Sequence, residues 1–226
     1  MNFRLIVIGG HTRSIGKTQL VCDLISAFPE ANWIAGKITQ YGHGFCVKKG
    51  KHCDCAPAEH VCALTWENGS AARTDSGRFL AAGAQRSFWL RTKQGHLAEG
   101  IPLLRAALQG IERSNGEEPA NLILESNTLL EFMKPSLYLM VLDSEKRDFK
   151  ASARVQMEYA SGFVLRRPLA KENGSAEAAG NNTWAEVSPN VTAGKPHFLQ
   201  REGEQLPIDL RERVQLMFAD NRGVAL

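Results

Sequence analysis

The sequence lacks a strong charge of either sign, a long apolar run and any internal repeat. Lys and Arg number 27 against 24 Asp and Glu, a formal net charge of +3. That balance argues against a dedicated nucleic-acid binder, which would concentrate its Lys and Arg on one face or tail. No apolar stretch approaches the ~20 residues that a membrane helix needs. The first apolar run, residues 3–8, is too short for the core of a secretion signal and leads straight into a glycine turn. The expected location is therefore the cytoplasm, with no membrane partner and with reduced thiols. Hydrophobic residues make up 43% of the 226. That suffices for the core of one α/β domain of ordinary size, spanning residues 1–226.

Periodicity predicts strands over 3–8, 32–38, 86–90, 121–124, 136–142, 162–165 and 197–200. It predicts helices over 16–28, 75–84, 96–108, 150–159 and 207–218, with Thr74 or Asp75 capping the second. Residues 39–74 hold no sustained period, and 40–74 is set apart as a cysteine-rich insert. Residues 170–194 are rich in Gly, Ala, Asn and Ser and predict a mobile surface loop. Strands alternating with helices imply a three-layer α/β fold, with a mostly parallel sheet and helices on both faces.

The strongest motif is Gly9-Gly10-His11-Thr12-Arg13-Ser14-Ile15-Gly16-Lys17-Thr18-Gln19, between the first strand and the first helix. A strand, a glycine-rich turn and a helix opening on Gly-Lys-Thr form a phosphate cradle. Successive backbone N–H groups point inward and the helix N-terminus adds its dipole. Lys17 would reach the β- and γ-phosphates, and the Thr18 hydroxyl would ligate Mg²⁺. The predicted nucleotide-binding set is Gly10, His11, Thr12, Arg13, Ser14, Ile15, Gly16, Lys17, Thr18 and Gln19. The usual loop has four residues between its glycines, whereas Gly10 and Gly16 enclose five. Either the loop is one residue longer, or His11 stands in for a glycine.

Mg²⁺ on a triphosphate needs a carboxylate near this loop. Glu125, ending an apolar strand, is the first candidate, as catalytic acid and Mg²⁺ ligand. Asp75 and Asp143 are the others, and each could instead cap a neighbouring helix. A base-selecting Asn-Lys-x-Asp is absent: residues 164–168 read Val-Leu-Arg-Arg-Pro. ATP and GTP both stay open, and an arginine there could stack on a base.

Four of the five cysteines fall in one run, Cys46, Cys53, Cys55 and Cys62, spaced C-x6-C-x-C-x6-C with His43, His52 and His60 nearby. In a reducing compartment this favours a metal over disulfides. Four thiolates suit tetrahedral Zn²⁺ or an iron–sulfur cluster. Cys22 stands apart, on the first helix, as a small core residue.

The order of these features resembles the molybdopterin-guanine dinucleotide biosynthesis protein B family, in the P-loop GTPase class that also holds metallochaperone and signal-recognition NTPases. The matching stretches are residues 7–20, 33–43 (Trp-Ile-Ala-Gly-Lys-Ile-Thr-Gln-Tyr-Gly-His), 74–76 through 82–84, and 121–126. Ser126 stands where the family has glycine, and the four-cysteine insert is additional. The resemblance implies that Lys37 and His43 lie on the γ-phosphate side. It implies that Lys17 and Thr18 bind phosphate and Mg²⁺, and that Glu125 and Asp75 serve the metal or the attacking water. The expected activity is a slow nucleoside triphosphatase assisting metal-centre or molybdenum-cofactor maturation, with a protein partner and a homodimeric state. The alternatives are a small-molecule kinase and a nucleotide-gated binding module without catalysis.

Overall fold

The computed structural model describes residues 2–42, 45–46, 51–52, 60–69, 73–112, 120–167, 192–219 and 224–225. In chain order the elements are β1 (Asn2–Gly10), α1 (Lys17–Ala27), β2 (Ile34–Tyr41), β3 (Phe45–Cys46), β4 (Lys51–His52), β5 (Cys62–Trp66), α2 (Asp75–Ala81), β6 (Arg86–Lys93) and α3 (Leu97–Glu112). Then come β7 (Ala120–Glu125), β8 (Leu137–Leu142), α4 (Ala151–Gln156), β9 (Gly162–Leu165), β10 (His197–Leu199), α5 (Ile208–Ala219) and β11 (Val224–Ala225).

The main sheet has nine strands, ordered β10-β9-β8-β1-β7-β2-β6-β5, with β11 pairing antiparallel to β1. Every other pair is parallel except β5 against β6. β3 and β4 form a separate two-stranded sheet. The central parallel strands β1, β7 and β8 are mainly apolar, because helices cover both faces. All six residues of β8 are buried.

Strand parity divides the core in two. Leu5 and Val7 of β1 join Leu122 and Leu124 of β7 in a cluster with Leu104 and Leu108 of α3. Ile6, Ile8 and Ile123 face the other way, onto Leu20, Leu24 and Ile25 of α1, Phe79 of α2 and Leu210 of α5. Each such fully buried side chain is worth about 1.5–3 kcal/mol. Alternation thus turns Gly10, Lys37 and Glu125 toward the α1–α2 layer, at the carboxyl ends of their strands. Open parallel sheets bind ligands at that end.

Two expectations are corrected. Residues 62–66, read as irregular, form β5. The pairing of β5 with β6 is anchored by Cys62 opposite Thr92 and Trp66 opposite Phe88. The second helix stops at Ala81, because the chain turns to a positive φ of 108° at Gly83. Its cap is Thr74, whose hydroxyl accepts the Gly77 N–H at 2.9 Å. The expected loop over 170–194 lies outside the described residues except at 192–194. Among the described residues no helix is long and apolar enough to cross a membrane.

Candidate functional site

β1 runs into the glycine loop without a break. Gly10 is required by close packing: a Cβ there would lie 2.6 Å from the Ile15 Cδ1 and 2.9 Å from the Lys17 Cδ. Positive φ angles in the loop fall at Ser14 (54°) and Gly16 (85°). His11 has no positive φ, so its place in the loop does not call for a glycine's conformational freedom. His11 is fully buried. Burial is the main cause that lowers its pKa, which favours the neutral ring.

Gly16 caps α1 in the left-handed conformation. It leaves the first N–H groups of the helix at the floor of the loop, where an anion is stabilised. Lys17 Nζ donates to the Thr12 carbonyl at 2.5 Å, so the lysine bonds back onto its own loop. Burial chiefly lowers the Lys17 pKa, to about 8; Glu125 raises it, while Lys150, Lys37 and Arg13 lower it further.

The next residue joins the acidic strand. The Thr18 hydroxyl donates to Glu125 Oε2 at 2.7 Å. Register explains the meeting: Glu125 lies opposite Ile8 of β1 and opposite Lys37 of β2. Lys37 Nζ donates to Glu125 Oε1 at 2.9 Å and to Asp75 Oδ2 at 2.5 Å, and lies 3.5 Å from the Thr18 hydroxyl. The Glu125 side chain is 7% exposed, that of Lys37 17% and that of Asp75 41%. Burial lowers the Lys37 pKa, but the Glu125 charge and the bonds to Asp75 and Glu125 outweigh it, and the net shift is upward.

Four sequence-selected groups, Thr18, Lys37, Asp75 and Glu125, thus form one bonded cluster beside Lys17. Its donors are hard oxygens, and they already draw a cation, the Lys37 ammonium, between two carboxylates. That donor set fits Mg²⁺, which Thr18 and Glu125 would hold. Asp143 is not in the cluster. It is buried, accepts the Glu145 N–H at 3.1 Å, and pairs with Arg167 at 3.4 Å. Gln19 turns away from the loop: it donates to Asp23 and accepts from Arg78 of α2, both at 2.7 Å.

Arg166 corrects the idea of an arginine left to stack on a base. Its guanidinium donates to the Ile15 carbonyl at 3.3 Å, the Gly16 carbonyl at 2.6 Å and Gln200 Oε1 at 2.9 Å. It is a brace behind the loop. A Cβ on Gly16 would meet this guanidinium at 2.8 Å. Asn127 is a second brace that the sequence did not reveal. Its amide donates to the Gly10 carbonyl and accepts the Gly10 N–H, each at 2.9 Å. A polar residue just beyond the acidic strand was the only signal for it.

Of the cysteine set, Cys53 and Cys55 lie outside the described residues, as does His43, and only the backbone of Cys46 is described. Cys62 is half-buried in β5, with its thiol donating to the Glu99 carbonyl at 3.5 Å. Among the described residues no group of three or more His, Cys, Asp or Glu comes together to hold a metal. The ends of the insert are fixed. The Tyr41 hydroxyl lies 2.6 Å from the His60 carbonyl oxygen and 3.1 Å from that of Val61, at the same end of the sheet as the glycine loop. Cys22 is buried beneath α2, and burial pushes its thiol up to about 11.

No protein-family model matches the sequence, and no curated protein matches it. Among solved structures the chain is similar to HypB from Helicobacter pylori in complex with nickel. The TM-score is 0.51 at 11% identity, over 100% of this chain and 92% of that one. It is also similar to LpxK from Aquifex aeolicus in complex with ATP, at a TM-score of 0.44 and 14% identity over 94% of this chain and 61% of that one. A zinc-bound triple mutant of the YjiA GTPase gives 0.42 and 12% over 93% and 61%. With its glycine loop between β1 and α1, the chain has the three-layer α/β fold of the P-loop NTPases.

Proposed function

We propose that the chain binds a nucleoside triphosphate with Mg²⁺ on residues 10–19 and hydrolyses it slowly. The observation that carries this reading is the convergence of Thr18, Glu125, Lys37 and Asp75 beside Lys17. The loop N–H groups and Lys17 would hold the phosphates. Thr18 and Glu125 would hold the metal, which offsets charge on the phosphate oxygens. Asp75 and Lys37 would face the terminal phosphate. Catalysis would rest on positioning and charge neutralisation.

The chain would serve metal-centre or molybdenum-cofactor maturation, as in the molybdopterin-guanine dinucleotide biosynthesis protein B family. Cys46, Cys53, Cys55 and Cys62 would hold Zn²⁺ or an iron–sulfur cluster. The support is positional: Lys37 lies on β2, and the insert, from residue 40, begins three residues beyond it on the same strand, about 10 Å along. Nucleotide state could then order or release the cysteine segment. A protein partner and a homodimer belong to the same proposal.

The test is single-turnover hydrolysis of ATP and of GTP, with Mg²⁺ or EDTA, by the unaltered protein and Lys17→Ala. Metal content is measured on protein purified anaerobically without a histidine tag. Mg²⁺-dependent turnover lost in Lys17→Ala supports the reading. Unchanged binding in that variant, or none by the unaltered protein at millimolar nucleotide, refutes it.

A further inference from the structure

The segment after β8 lies against the glycine loop along its length. The Lys150 N–H donates to the His11 carbonyl at 2.9 Å. The Thr12 hydroxyl donates to Asp148 Oδ2 at 2.5 Å. His11 Nε2 lies 3.4 Å from the Lys146 carbonyl oxygen, and the His11 and Phe149 rings are 5.0 Å apart. These contacts occupy His11 and Thr12, the two residues that follow Gly10. The segment therefore fixes where Lys150 starts: its backbone is bonded to the loop itself.

Its charge has a specific neighbourhood. Burial first, and then the Arg13 charge, lowers the Lys150 pKa, while Asp148 opposes them. Lys17 in turn responds to Lys150, Lys37 and Arg13, with Glu125 opposing. Lys17 and Lys150 each lie within electrostatic reach of Arg13 and of one another, with Glu125 opposing at Lys17 and Asp148 at Lys150, while Lys37 is held between Asp75 and Glu125. Like charges held within reach of one another repel. A polyanion returns that cost.

We infer that Lys150 is a further phosphate-contacting residue, delivered in cis by residues 146–150 to the terminal phosphates beside Lys17. The inference rests on the nucleotide-binding reading above and extends it. The Lys150 ammonium would neutralise charge that develops on the transferred phosphoryl group, a task that many phosphotransfer enzymes give to an added arginine or lysine.

The experiment compares the unaltered protein with Lys150→Met, Lys150→Arg and Lys17→Ala. Binding of a fluorescent triphosphate is titrated at low and high salt, and thermal melts are recorded without nucleotide. Lys150→Met should bind the triphosphate about tenfold or more weakly, with a flatter salt dependence and an unchanged melt. Lys150→Arg should recover to within about threefold, because the charge is kept. If Lys150→Met binds normally while Lys17→Ala does not, the inference falls and the nucleotide reading stands. If Lys17→Ala also binds normally, both fall. A weakened Lys150→Met that melts lower and is not rescued by arginine assigns the residue to loop packing alone, which also overturns the inference.

Discussion

Replacing Lys37 with Met keeps the side chain's length and removes its charge. Glu125, 7% exposed at its side chain, then loses the cation 2.9 Å away and keeps only the Thr18 hydroxyl. Breaking a buried ion pair from one side costs about 3–5 kcal/mol, because the other charge stays buried. Lys37 itself is 17% exposed and its other partner, Asp75, is 41% exposed, so solvent screens part of that loss. The expected cost is roughly 2–4 kcal/mol. In a chain of this size that lowers the melting temperature by about 4–16 °C, at 2–4 °C per kcal/mol. Glu125→Gln should repair it, since a neutral amide oxygen can still accept from Thr18. Urea denaturation of both single variants and the double, in EDTA, closes a double-mutant cycle. The coupling should reach about 1.5 kcal/mol or more. Added Mg²⁺ should stabilise Lys37→Met more than the unaltered protein, because the two carboxylates then lack their internal cation. A coupling near zero, or no difference in the response to Mg²⁺, refutes the claim that these groups form one electrostatic unit.

Three further perturbations follow from the site. Lys17 has its pKa lowered to about 8, and phosphate binding requires the ammonium. Nucleotide binding should take up about half a proton per site at pH 8 and almost none at pH 6.5, read by calorimetry in buffers of different ionisation enthalpy. The same group sets a sign for folding. Between about 8 and its ordinary 10.5 the unfolded chain holds more protons, so this lysine's contribution makes stability rise with pH across that window. Gly16→Ala must place a Cβ at a φ of 85° and within 2.8 Å of the Arg166 guanidinium. A cost of about 2 kcal/mol and a clear loss of nucleotide affinity are expected from denaturation and binding titrations. Asn127→Ala removes both bonds to Gly10 and should cost about 1–3 kcal/mol, with amide exchange rising first at the loop. Unaltered exchange there would remove Asn127 as a brace.

Much of the fold was legible because parallel strands buried on both faces are unbroken apolar runs. Residues 3–8, 121–124 and 136–142 could hardly be anything else. Thr18 and Glu125 were legible for a related reason, since strand ends and helix starts are local features, whereas Lys37 entered only through the family resemblance. β5 was not, since Cys-Ala-Leu-Thr-Trp is short, only half-buried, and becomes a strand through its register with β6. Arg166, Asn127 and Lys150 were illegible as parts of the site. Each reaches the loop from more than a hundred residues away in sequence, through bonds to backbone groups that carry no signature of their own.

The bonds at Tyr41 have an entropic consequence. Its hydroxyl meets the His60 and Val61 carbonyls, its own carbonyl accepts the Gln94 N–H at 2.8 Å, and the Val61 carbonyl accepts from Lys93, also at 2.8 Å. The chain that carries the cysteines thus leaves the sheet and returns to it at one point. Bringing the two ends of such a stretch together ordinarily costs a flexible chain free energy that grows with the logarithm of its length. Here the sheet has already met that cost. A ligand taken up at the proposed cysteine site would not have to bring Tyr41 and Val61 together, so closure would take nothing from its binding free energy.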